Sequence, residues 1–113
     1  MPRYLISFDE GAMDHIPEGD FHAVSVAAHD VVQEAMDAGR FVFAGGLLPS
    51  EEMSVVAADG TDTGPTSKAY MGGLTIVDVP TREEALEWAA KIAVACRCPQ
   101  EVREVMPDPV VGN

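Results

Sequence analysis

The chain has 113 residues, with 7 lysines and arginines against 19 aspartates and glutamates, a formal charge of −12. That excess repels a phosphate backbone and an anionic membrane surface, so neither a nucleic-acid partner nor a membrane is expected. An apolar fraction of 47% is too high for disorder, and the length suits a single domain with its own core.

The first apolar run, residues 5–8 with Arg3 and Tyr4 leading in, is too short for a signal peptide and stops at Asp9-Glu10-Gly11. It reads as strand one. No stretch approaches the roughly eighteen apolar residues of a membrane span, so a cytoplasmic location is expected. Residues 9–19 are acidic and hold Gly11, Pro17 and Gly19, which makes them a loop.

Asp20 is a good N-cap. Behind it Phe21, Val24, Ala28, Val31, Val32 and Ala35 fall on one helical face, and Gly39 supplies the stop. Residues 41–44 read as strand two, ending at Gly45-Gly46, and residues 53–58 as a third strand. Residues 59–69 are turn-rich, with Asp59-Gly60, Asp62 and Gly64-Pro65.

Residues 73–79 form the best strand in the chain, being rich in β-branched side chains. Thr81 and Glu84 then make a capping box that opens a second helix, with Ala85, Ala89, Ile92 and Cys96 on one face and a Glu87–Lys91 pair opposite. Residues 101–106 are a weaker last strand, and residues 107–113 a short tail.

The order is β-α-β-β-α-β with one extra strand from splitting, and it predicts a ferredoxin-like α+β sandwich over residues 1–113, an antiparallel sheet with both helices on one face. Leu74 and Ile76 on one side of the best strand, and Thr75 and Val77 on the other, are apolar or nearly so. A strand apolar on both faces calls for cover on both. No chain remains to supply the second cover, so a homodimer with its sheets face to face is expected.

The stretch Gly72-Gly73-Leu74-Thr75-Ile76-Val77-Asp78-Val79-Pro80, followed by Glu84-Ala85-Leu86-Glu87-Trp88-Ala89, resembles the core of the YCII-related proteins, and most of all their DGPF-domain branch. The likeness continues through Glu101-Val102-Arg103-Glu104-Val105. Upstream, Ala28-His29 leads into Phe41-Val42-Phe43-Ala44-Gly45 as that family's helix leads into its second strand, so roughly residues 3–106 are covered. Where the branch carries D-G-P-F, this chain has Thr63-Gly64-Pro65-Thr66, without the acid and the aromatic. Asp62 stands one position early, and the loop from Thr66 to Met71 is about two residues short of the branch's usual length.

The resemblance implies a dimeric α/β barrel. It also implies that a His–Asp pair serves as acid/base in those few relatives that remove halide from small ring compounds or rearrange lactones. A functional link to a sigma factor is implied as well, because members of the branch stand beside such factors. His29 matches the family's helix histidine.

The residues themselves offer a short set of candidates. His29 lies about 100° round the helix from Ala28, at the edge of the buried face, where an imidazole is partly desolvated yet reachable. His22 is two turns earlier on the same edge, and His15 sits in the acidic loop. Asp9 and Asp62 are the acids placed to orient His29, since strand ends and loops rim clefts. Lys68 and Tyr70, with His22, are candidate ligand contacts; a surface role is the alternative for each. Arg40, after the helix stop, suits the helix C-terminus.

His22 and His29 are about 10 Å apart along the axis, too far to share an ion held at roughly 2.1 Å, so no metal is expected, nor any other cofactor. Cys96 and Cys98 would close a strained ring as a disulfide; a buried Cys96 beside an incidental Cys98 is expected, with a redox role as the alternative. Gly45-Gly46 and Gly72-Gly73 signal close backbone approach or bulges, and no phosphate-cradling pattern or nucleophile elbow occurs, Ser67 and the other serines lacking that context. Two functions stay open. One is a dimeric, regulatory or accessory domain binding a small organic molecule in a helix–sheet cleft. The other is a small enzyme of lyase, isomerase or dehydrochlorinase type using His29 as general acid/base.

Overall fold

The computed structural model describes residues 1–64 and 68–113. Pro65 and Thr66 of the Thr63–Thr66 segment, and Ser67, lie outside the described residues, as does part of the turn-rich loop over residues 59–69. In chain order the elements are β1 (Arg3–Asp9), α1 (Phe21–Asp37), β2 (Phe41–Gly46), β3 (Met71–Asp78), α2 (Arg82–Cys96) and β4 (Glu101–Glu104), with single 3-10 turns at Glu18–Asp20 and Ser50–Glu52. Among the described residues there is one sheet, in the order β2-β3-β1-β4, with every pairing antiparallel. This is the ferredoxin-like α+β arrangement that the element order predicts.

Register decides which side chains meet. Tyr4 faces Val77 and Glu104, Ile6 faces Thr75 and Val102, and Phe8 faces Gly73. Cross-strand partners share a face, so Tyr4, Ile6, Phe8, Thr75, Val77 and Val102 turn toward the helices. Ile6, Val77 and Val79 are fully buried there against Ala85, Trp88, Ala89 and Ile92 of α2. Leu5, Leu74, Ile76 and Phe43 take the opposite face, where Phe43 remains 57% exposed.

The close-approach reading of the glycines holds at Gly72 and Gly73. Phe8 pairs with Gly73 but Asp9 pairs with Met71, so Gly72 is the extra residue of a bulge. A Cβ on Gly72 would stand 3.0 Å from the Cα of Glu10.

Several expectations need correction. Residues 53–58 are not a strand. They touch the return chain through one bridge, Val56 to Asp62, and the place beside β3 that they were expected to share is taken by β2 and β1. An apolar run is a strand only when a partner takes its backbone groups along its whole length. The last strand stops at Glu104, two residues earlier than expected.

Phe21 opens α1 but is 51% exposed, outside the core. Asp20 stands at the N-cap without capping through its side chain, which instead binds Arg97 Nη1 at 2.7 Å. Lys91 pairs with Glu34 of α1 rather than with Glu87, and lies 4.9 Å over the Trp88 ring, clamping the two helices together. Arg40 reaches Glu84 at 2.8 Å, so its tie is to α2 and not to the end of α1. Thr81 does cap α2, its hydroxyl accepting the Glu84 N–H at 3.2 Å.

Candidate functional site

A cleft of about 430 Å³ lies between α1 and the β2–β3 side of the sheet. From α1 come Ala28, His29, Val31, Val32 and Met36. From the strands come Phe8, Phe41, Ala44, Gly45, Gly46, Leu74 and Thr75, and Ile92, Cys96 and Gln100 close the end beneath α2. The volume lies within the usual span for a small-molecule site, about 300–1,000 Å³. No lysine, arginine, aspartate or glutamate lines it among the described residues. An unpaired charge moved into such a place loses its hydration without compensation.

His29 lines this cleft one 100° helical step from Ala28, whose side chain packs on the core, but it is exposed, not partly desolvated as expected from the helix face. Its Nδ1 lies 2.6 Å from the Ser25 carbonyl oxygen and 3.3 Å from Ser25 Oγ. A carbonyl oxygen only accepts, so Nδ1 donates to it. In the neutral ring that leaves Nε2 as the acceptor. The orienting group is thus a backbone carbonyl of α1 itself, one turn back, and not a carboxylate.

The other candidates lie elsewhere. Asp9 ends β1, exposed, and does not line the cleft. The Asp62 carboxylate accepts the Gly64 N–H at 2.9 Å, in the small hairpin made by the Val56–Asp62 bridge. His22 is exposed near the start of α1, and His15 is exposed in the loop after β1. Lys68 stands 5.3 Å over the Tyr70 ring. Tyr70 borders a separate hollow of about 330 Å³ with Glu10, Leu47, Ser50 and Met71.

In that hollow Glu10 accepts the Ser50 N–H at 3.0 Å, and the bond holds its carboxyl below the usual glutamate range. A third hollow, about 640 Å³, runs along the outer groove between α1 and α2 and is lined by Ala23, Ala27, Val94 and their neighbours.

Two cleft residues carried no functional signal in the sequence, Phe8 of β1 and Gln100 in the turn after α2, and no local spacing links them to the rest. Gly46 and Cys96 were singled out there, but not as parts of a cleft. Both cysteines are free and buried. Burial pushes both thiols up, and the neighbouring Cys98 pushes Cys96 up further. Cys96 therefore meets the cleft as a neutral, poorly nucleophilic thiol.

No protein-family model matches the chain, and no curated protein sequence does. Among solved structures it is similar to 5-chloro-2-hydroxyhydroquinone dehydrochlorinase from Burkholderia phenoliruptrix AC1100, in complex with 2,5-dihydroxybenzoquinone. The two share 12% sequence identity with a TM-score of 0.48, over 97% of this chain and 98% of that one.

Proposed function

We propose that the chain is a small-molecule-binding domain with a regulatory or accessory role, taking an uncharged, largely apolar organic molecule into the cleft between α1 and the sheet. The observation that carries this reading is the cleft's lining: apolar walls, no charged side chain among the described residues, and one imidazole whose Nε2 is left to accept a hydrogen bond. Such a site favours a ligand with an apolar body and one donor, a hydroxyl or an N–H.

A homodimer belongs to the same proposal. The chain is a slab of 44 × 42 × 18 Å with 7386 Å² of accessible surface. A compact monomer of its 12.0 kDa would expose roughly 6,000 Å². The excess, roughly 1,400 Å², is more than the ~800 Å² that each partner gives to a standard interface. Phe43, Leu74, Ile76 and Leu5 make the outer sheet face the place for a second copy.

A second reading, catalysis with His29 as general base, is favoured by the fixed tautomer, since a base needs its lone pair on the side of the substrate. Asp9, at the end of β1, and Asp62, in the small hairpin, line no part of the cleft and have no part in this reading. A thermal-shift screen of uncharged ring compounds against the wild type and His29→Gln separates the two. A binding module raises its Tm with a ligand in both chains and leaves the compound unchanged. An enzyme converts the compound, and loses that conversion with the imidazole. A wild type that no such compound stabilises refutes the cleft as a binding site.

A further inference from the structure

Gly46 and Gly73 face each other across β2 and β3, both on the side of the sheet that meets the helices, yet the two glycines meet different constraints. A Cβ on Gly73 would stand 2.5 Å from Cζ and 2.6 Å from Cε1 of Phe8. Packing therefore favours glycine at 73, because the Phe8 ring occupies the space that a side chain there would take. A Cβ on Gly46 would meet nothing within 4 Å. Its backbone is not among those with positive φ, so an L side chain is compatible with it. Strand positions also favour almost any residue over glycine.

Packing, backbone and propensity thus give no reason for glycine at this position. Gly46 is exposed and lines the cleft, so what its missing side chain leaves open is space at the cleft's mouth. We infer that Gly46 is the size-determining residue of the binding cleft, its absent side chain admitting the second ring of a two-ring, uncharged, apolar ligand. This rests on the cleft being the binding site. A side chain on Gly46 would narrow the cleft from the strand side, whereas His29 comes from α1, so it should exclude large ligands while sparing small ones.

The test uses 2-naphthol and phenol, uncharged hydroxyarenes of two rings and one, each with a single donor for Nε2. Binding to the wild type, Gly46→Ala and Gly46→Leu is measured by calorimetry, with Tm recorded for each chain. The expected result is a Tm equal to or above that of the wild type in both variants. Gly46→Leu should bind 2-naphthol at least about tenfold more weakly while holding phenol within about threefold of the wild type. Gly46→Ala should fall between.

Equal binding of 2-naphthol by wild type and Gly46→Leu overturns this inference and leaves the cleft reading standing. Loss of both probes in Gly46→Leu also overturns it, since the effect is then not one of size. A Gly46→Leu chain that does not fold overturns the premise that the position is open. Failure of the wild type to bind either probe removes the cleft reading, and this inference with it.

Discussion

Replacing Gly73 with alanine adds one methyl group where the Phe8 ring already lies. The new carbon would sit 2.5 Å from Cζ and 2.6 Å from Cε1, against the roughly 3.5–4.0 Å at which two carbons attract. The ring must retreat by about 1 Å or more, or the two strands must part. Parting is resisted because β1 is laddered on both sides, to β3 and to β4.

The ring therefore gives way. It swings off its rotamer and into the cleft, as overpacked core side chains do at a cost of about 1–3 kcal/mol. The smaller unfolded-state entropy of alanine offsets about 0.4–1 kcal/mol of this. The net expectation is a loss of about 1–2 kcal/mol, which in a domain of this size lowers Tm by roughly 4–8 °C. Urea unfolding should show a lower midpoint with an unchanged slope.

Phe8→Leu removes the obstructing ring edge, so the double variant Phe8→Leu/Gly73→Ala should be more stable than the sum of the single effects by about 1 kcal/mol. A Gly73→Ala chain as stable as the wild type, or strict additivity with Phe8→Leu, refutes the packing argument. The argument for the open position at Gly46 would weaken with it, since both rest on the same register.

Glu10 should give the chain a pH-dependent tie between the end of β1 and the Ser50–Glu52 turn. Its folded carboxyl is held below the unfolded value by the Ser50 N–H, so the contribution is complete above the ordinary glutamate range. It is lost as the pH falls through the depressed folded value. Urea midpoints of wild type and Glu10→Gln should therefore converge as the pH drops below that range, and a constant gap from pH 7 to 3 would remove Glu10 from the account. The raised thiols make a kinetic prediction: at pH 8 the folded chain should react with a disulfide reagent far more slowly than the chain in urea, at Cys96 and Cys98 alike. Equal rates would mean that neither thiol is shielded.

Much of this molecule is legible one segment at a time. The β-branched run before Pro80 becomes β3, whose residues alternate between the helix face and the outer face. Thr81 caps α2 where its spacing to Glu84 places it, and Ala85, Ala89, Ile92 and Cys96 are all buried. These features depend on backbone torsions and side-chain periods that neighbouring residues set for themselves. The position of His29 at the edge of α1 is legible for the same reason, since one helical step from Ala28 determines it.

What failed was each reading that needed a partner from afar. Residues 53–58 have the apolar run of a strand but join no sheet among the described residues, while Lys91 answers to Glu34, fifty-seven residues away, in preference to its near neighbour Glu87. The cleft is the extreme case, because His29, Phe8, Gly46 and Cys96 meet only once β2-β3-β1-β4 has been ordered. The sequence by itself determined both helices, the four strands of the sheet, their order and the edge of α1 on which the imidazole stands, all of which follow from local periodicity and caps. Only the tertiary structure decided that Gly46 opens onto the cleft while Gly73 lies beneath Phe8. Strand register is a long-range property, and two identical residues facing one another across it can meet opposite surroundings.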